Sequence, residues 1–235
     1  MATTLQNIQN ALESARNEAR AIPMRAYMRD QFPFLGIASP MRKNLVKTAL
    51  LETQELKKPI DENLILELWH LPEREYQYAA CDYLAWQRKK LELKHLALLE
   101  RLFLEKSWWD SVDGLVHNVG AISFKFPEAI PTLERWSKSE NFWLRRAAIL
   151  HQLGLKSKTD ETRLFKFILE NASETEFFIR KAIGWALREH SYINPEAVKN
   201  FVFEHQQELS SLSKREALKA LERHAKQKLE RIWFD

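Results

Sequence analysis

Apolar residues along this chain recur with a helical spacing, not an alternating one. Between Phe178 and Leu187 they stand at Phe178, Ile179, Ala182, Ile183, Ala186 and Leu187. That order lays a broad stripe along one side of a helix. Tyr76, Ala79, Ala80, Tyr83 and Leu84 show the same order earlier in the chain. A stripe this wide suits a helix packed between neighbours, and alanine in mid-helix lets the next layer approach closely. Narrower stripes, HLALLERLF and RLFKFILE, predict a partner helix ahead of each broad one.

The helix pairs repeat. Glu75, Trp109, Trp143, Phe178 and Leu212 fall in one register, with steps of 34, 34, 35 and 34 residues. Ile65, Leu99, Leu133, Ile168 and Val202 give the same steps, each ten residues before its partner. Two registers that agree over five units predict an all-α fold, an α-solenoid of stacked two-helix repeats. Leu71-Pro72, Phe126-Pro127, Ser157 to Asp160 and Asn194-Pro195 punctuate the units. Tetratricopeptide arrays share a period near 34 residues but need a glycine in the first helix of each unit, and none stands there. The HEAT-like pattern fits better.

Residues 1–60 depart from the period and read as a helical cap, with a helix at about 4–21, another at about 23–31 and a third from Pro40. Ser39 is expected to be the N-cap of that third helix, with proline in its first turn. The pattern shows no domain boundary in 1–235, only this cap and five repeats over 61–235.

Composition narrows the chemistry. Five glycines among 235 residues are few for a sheet-rich fold or phosphate-cradling loops. The lone Cys81 excludes an internal disulfide and multi-cysteine metal sites, and its apolar setting predicts a small core residue. Walker, GxGxxG, CxxC, HExxH and GxSxG motifs are missing, and the histidines are scattered, so no cofactor or metal is expected. No signal peptide or membrane span is expected, which favours an intracellular, cytoplasmic protein, nucleoid-associated if bacterial. The net charge of +4 permits a nucleic-acid partner without demanding one.

Two positions break the apolar register. Asp113 stands where other units have Ala79, Ala147 and Ala182, and Asp110 where they have Tyr76, Leu144 and Ile179. Burying an unpaired polar group costs about 2–7 kcal/mol, so a half-buried acid needs a partner or a purpose. One reading is an ion pair with Arg145 or Arg146 of the next layer. The other is chemistry, with Trp109 one turn away on the same face. Cations recur layer by layer: Arg145, Arg180 and Lys214 align, and beside them Arg146, Lys181 and Arg215. Such a ladder can track a phosphate backbone, or form a solvated face of mixed charge. Trp69, Trp86 and Trp136 are expected in the core. Trp185 follows Gly184, where a neighbouring group can come close.

Several stretches resemble the AlkD-type DNA alkylation repair glycosylases: AYMRDQFPFLGI (26–37), ELWHLPEREYQYAACDYL (67–84), KSWWDSVD (106–113), FWLRRAAIL (142–150), FFIRKAIGWALRE (177–189) and LSKREALK (212–219). The resemblance implies a monofunctional enzyme of base excision repair, a hydrolase that removes cationic N3- and N7-alkylated purines from duplex DNA. It implies HEAT-like repeats and Asp113 as the catalytic carboxylate, with Trp109 and Trp185 as aromatic walls. Arg146 and Arg188 would hold phosphates, and Tyr27 would reach DNA from the N-terminal side. Arg145, Arg180, Lys181, Lys214 and Arg215 join the expected DNA-binding set, as do Ser39, Arg42 and Lys43 at the third helix. A monomer is expected. The competing expectation is a non-catalytic α-solenoid that binds DNA or protein. An Asp113 locked to a guanidinium away from any groove would favour that scaffold.

Overall fold

The structure is a computed structural model and describes residues 2–221. All regular structure among them is helical. The N-terminal helices are α1 (Thr4–Glu13), α2 (Glu18–Tyr27) and α3 (Ser39–Glu52). They are followed by α4 (Glu62–His70), α5 (Arg74–Trp86), α6 (His95–Leu104), α7 (Trp109–Lys125) and α8 (Ile130–Ser137). The rest are α9 (Phe142–Leu150), α10 (Glu161–Leu169), α11 (Phe177–Ser191), α12 (Pro195–Glu204) and a last helix, α13, over residues 211–221. No helix among the described residues is long and apolar enough to cross a membrane.

The repeat register lands on the helices it predicts. Ile65, Leu99, Leu133, Ile168 and Val202 lie buried in α4, α6, α8, α10 and α12, and Ala79, Ala147 and Ala182 lie buried in α5, α9 and α11. Where the sequence shows no boundary, packing divides the chain into two compact units between Leu102 and Phe103, within α6.

In the first unit, α1 packs on α3 and α4, and α5 packs on α3 and α4. The expected helix over 4–21 is two helices. The first ends at Glu13 with Ser14 as its C-cap, and Asn17 caps the second, its side chain accepting from Arg20 N–H while its own N–H donates to Leu35 O at 2.8 Å. The crossing segment comes so close that only glycine fits at Gly36: its φ is +84°, and a Cβ would lie 2.0 Å from Asn17 O. The same segment explains Glu75. This fully buried carboxylate accepts from the N–H groups of Leu35, Gly36 and Ile37 at 2.9, 2.9 and 3.1 Å. Ser39 is not the N-cap of α3. Ala38 is, and Ser39 is the first helical residue.

In the second unit, α7, α9 and α11 pack side by side, α8 and α10 pack on α9, and α12 packs on α11. Two glycines set the closest approaches. A Cβ on Gly120 of α7 would lie 2.1 Å from His151 O, just past α9. One on Gly184 of α11 would lie 2.5 Å from Glu216 Cβ and 2.9 Å from Ser213 O of α13. The expected close neighbour beside Trp185 is therefore α13. Trp69 and Trp136 are fully buried, as expected, but Trp86 is only half-buried, in the last turn of α5.

Candidate functional site

The start of α7 carries the unusual acids. Trp108 is its N-cap, in extended backbone with no side-chain cap bond. Asp110 occupies the first turn, where the positive end of the helix dipole favours an acid, so it needs no catalytic explanation. Asp113 lies one turn further in, on the face it shares with half-buried Trp109.

Asp113 forms the ion pair that the register allows. Arg146 of α9 donates from Nε to one carboxylate oxygen at 2.9 Å and from Nη2 to the other at 2.8 Å. Its Nη1 donates to the Phe178 carbonyl of α11 at 2.5 Å. Three successive helices thus meet at one guanidinium. The Arg146 side chain is 5% exposed, against 18% for Asp113. Burial pushes the Asp113 carboxyl above its ordinary value of 3.8, while Arg146 pulls the other way. Both carboxylate oxygens are held by Arg146, and the Asp113 side chain keeps 18% of its surface exposed.

This arrangement corrects the expected phosphate role of Arg146. Its fork is spent on Asp113 and Phe178, and it is too deep to meet a backbone phosphate. Arg42 is corrected likewise: it is buried, donates to Asp82 at 3.0 Å and lies 4.7 Å from the centre of the Tyr78 ring. Lys43 is exposed, 3.8 Å from Asp82. Ser39 and Tyr27 are exposed, Tyr27 on the last turn of α2.

Three of the six cations in the predicted ladder, Arg145, Arg146 and Lys181, are matched by acids. Arg145 pairs with Glu174 and donates to Ser139 O at 2.6 Å, and Arg180 Nε donates to Glu174 O at 2.8 Å. Lys181 and Arg188 sit 3.1 and 2.8 Å from Glu216 of α13, and Lys219 sits 2.5 Å from it. Burial works to raise the Glu216 pKa, but the bonds from Lys219 and Lys181 win and hold it at about 2. Lys181, Arg188 and Lys219 keep 37%, 27% and 41% of their side chains exposed, so this group faces solvent with more positive than negative charge. Lys214 donates to Gln206 O at 2.6 Å, and Arg215 is exposed.

Sequence reasoning missed an aromatic cluster at the leading ends of α7, α9 and α11. The Trp108 ring lies 5.8 Å from that of Trp143 and 5.3 Å from that of Phe178, and Trp143 lies 4.9 Å from Phe178. The Trp108 indole N–H is buried with no hydrogen-bond partner among the described residues. The register did place Trp143 and Phe178 in one column, which was the available signal. The cluster fixes Phe178, and with it the carbonyl that Arg146 uses. Trp185 is half-buried and makes no ring contact with the described residues.

A family model described as DNA alkylation repair enzyme matches residues 8–221. The chain belongs to the DNA alkylation repair enzyme family. This match takes in both units and every residue of the Asp113 site. The solved structure of a predicted DNA alkylation repair enzyme from Enterococcus faecalis is similar to this chain, at 36% identity and a TM-score of 0.78, covering 88% of this chain and 96% of that one. No curated protein matches. Membership in this family implies DNA as the substrate.

Proposed function

We propose that this chain is a monofunctional DNA glycosylase that hydrolyses the N-glycosidic bond of cationic N3- and N7-alkylated purines in duplex DNA. The observation that carries the reading is a carboxylate, Asp113, gripped by both arms of Arg146 yet left with 18% of its side chain exposed, on the face it shares with half-buried Trp109.

The chemistry follows from charge. An alkylated purine of this kind is already a cation, so the base leaves with the bonding electron pair as a neutral molecule and needs no general acid. Positive charge then builds on the sugar. A fixed carboxylate stabilises that charge without reorganising, and water adds its oxygen to C1′ while its proton passes to Asp113. A raised carboxyl pKa suits a group that must accept a proton. Indole faces at Trp109 and Trp185 favour the cationic sugar and base. Arg146 acts through Asp113: it positions the carboxylate and keeps it ionised. Lys181, Arg188, Arg215 and Lys43 are the accessible cations proposed to meet phosphate, and Tyr27 is proposed to touch DNA from the first unit.

The spent cations, Arg145 and Arg146, favour the scaffold reading over the glycosylase. Incubation with methylated plasmid, followed by alkaline cleavage at abasic sites, separates the two. Abasic sites formed by the wild-type chain and lost with Asp113→Asn support the glycosylase. Abasic sites formed by neither, with duplex binding retained, leave a scaffold.

A further inference from the structure

We propose that a well at the C-terminal ends of α9 and α11 docks a protein segment, which inserts one large apolar side chain flanked by an acidic and a basic residue. The well encloses about 370 Å³, and its floor is the buried Ile149, Leu153, Leu164 and Ala186. That volume takes a phenylalanine or leucine side chain with room for its backbone.

Two polar side chains of the walls are already engaged within the protein. Gln152 is closed on the backbone of Asp160 at 2.7 and 3.0 Å, and His190 Nε2 is bound to Glu161 at 2.7 Å. Gly154, at φ +81°, leaves the mouth uncovered by a side chain. Tyr192 and Ile193 form an apolar lip and stand 51% and 43% exposed, extending the apolar surface beyond what a small molecule would cover.

Charge selects the partner. Lys156 and Glu189 both line the well, both are exposed, and neither has an ion-pair partner among the described residues. Lys156 comes from the segment after α9 and Glu189 from the last turn of α11. Lys156 also holds φ at +54°, a conformation that lysine adopts only at a cost and that turns up at binding sites. An apolar anchor between two charges of opposite sign complements this rim and excludes segments of the reversed polarity. Phe178 and Tyr192 lie at the two ends of α11, about 21 Å apart at the helical rise, so a docked segment leaves the Asp113 carboxylate clear. The proposal therefore does not rest on the glycosylase reading.

The test is selection of a random dodecapeptide phage library on the full chain, followed by titration of the best peptide against Ile193→Glu and Lys156→Glu. Enriched peptides are expected to share an aromatic residue or leucine with an acid on one side and a base on the other. Both variants should bind the peptide at least tenfold more weakly, and exchanging its acid for lysine should restore binding to Lys156→Glu. Both should keep the wild-type urea-unfolding transition, which separates lost docking from lost folding. No enrichment, peptides lacking the flanking charges, or unchanged binding by either variant overturns the proposal. So does a wild-type dimer in sedimentation that Ile193→Glu abolishes, which would assign the lip to a second copy.

Discussion

Two repeats bury an acid where their neighbours carry apolar side chains, and they treat it differently. Glu75 of α5 is sealed from solvent and satisfied by three backbone N–H groups in a row. Asp113 of α7 is satisfied by one side chain and keeps 18% of its own exposed. The first is a structural bracket: its oxygens are committed, and the segment that commits them cannot move without breaking three bonds. The second is a held but accessible charge. Burial of an acid does not by itself mark chemistry; the two acids differ in that Glu75 is closed off by backbone while Asp113 keeps some surface and a side-chain partner.

Mutation can break this contrast or sharpen it. Asp113→Asn should reduce base release by at least about 10²-fold, the scale of losing a preorganised charge at a developing cation, with duplex affinity within a few-fold. Release of 7-methylguanine checks this, and wild-type rates would end the catalytic reading. Glu75→Gln should do the converse. It turns an amide N–H₂ toward the three N–H donors and should cost about 2–4 kcal/mol in urea unfolding, with activity per folded molecule unchanged. Arg146→Lys keeps the charge but loses the fork, and should fall between: roughly tenfold slower release, with unfolding shifted by about 1–2 kcal/mol.

Glu216 sharpens the comparison through pH. Its pKa in the folded state, about 2, lies below its ordinary value of 4.5. Its contribution is therefore complete above pH 4.5 and lost as pH falls toward 2. Glu216→Gln should flatten the stability profile in that window by about 1–2 kcal/mol, allowing for the half-exposed cations. Asp113 has the opposite sign. Its raised pKa means that acid removes its ionised form earlier than for an ordinary aspartate, so activity should fall on the acid side while protonation of this group adds to stability. The smallest effect belongs to Arg215→Ala, which should weaken binding to all duplexes alike and reduce the salt slope by about 0.9.

The repeat architecture was legible because it is written in periodicity, and each register residue lies where its column requires. Asp113 was legible as a break in that column. The fate of the cations was not. Whether Arg145, Arg146 or Arg188 is free depends on Glu174, Asp113 or Glu216 lying opposite in a neighbouring element, some thirty residues away, and no local pattern encodes that pairing. The division of the first helix at Asn17 escaped for a related reason. Asparagine is a preferred N-cap, but Asn7 and Asn10 stand inside α1 as well, and the event that enforces the break is the crossing of Leu35 and Gly36. Ser39 misled because serine before proline fits the N-cap and the first helical position equally well.

The Phe178 carbonyl reaches further than one hydrogen bond. Because Arg146 takes its bearings from α7 on one side and α11 on the other, the aim of the carboxylate is a property of how three layers are stacked. A cavity or an overlarge side chain anywhere along that stack, even one that leaves the protein folded, would tilt the guanidinium and turn the acid off target. Warming should therefore silence base release before it melts the helices.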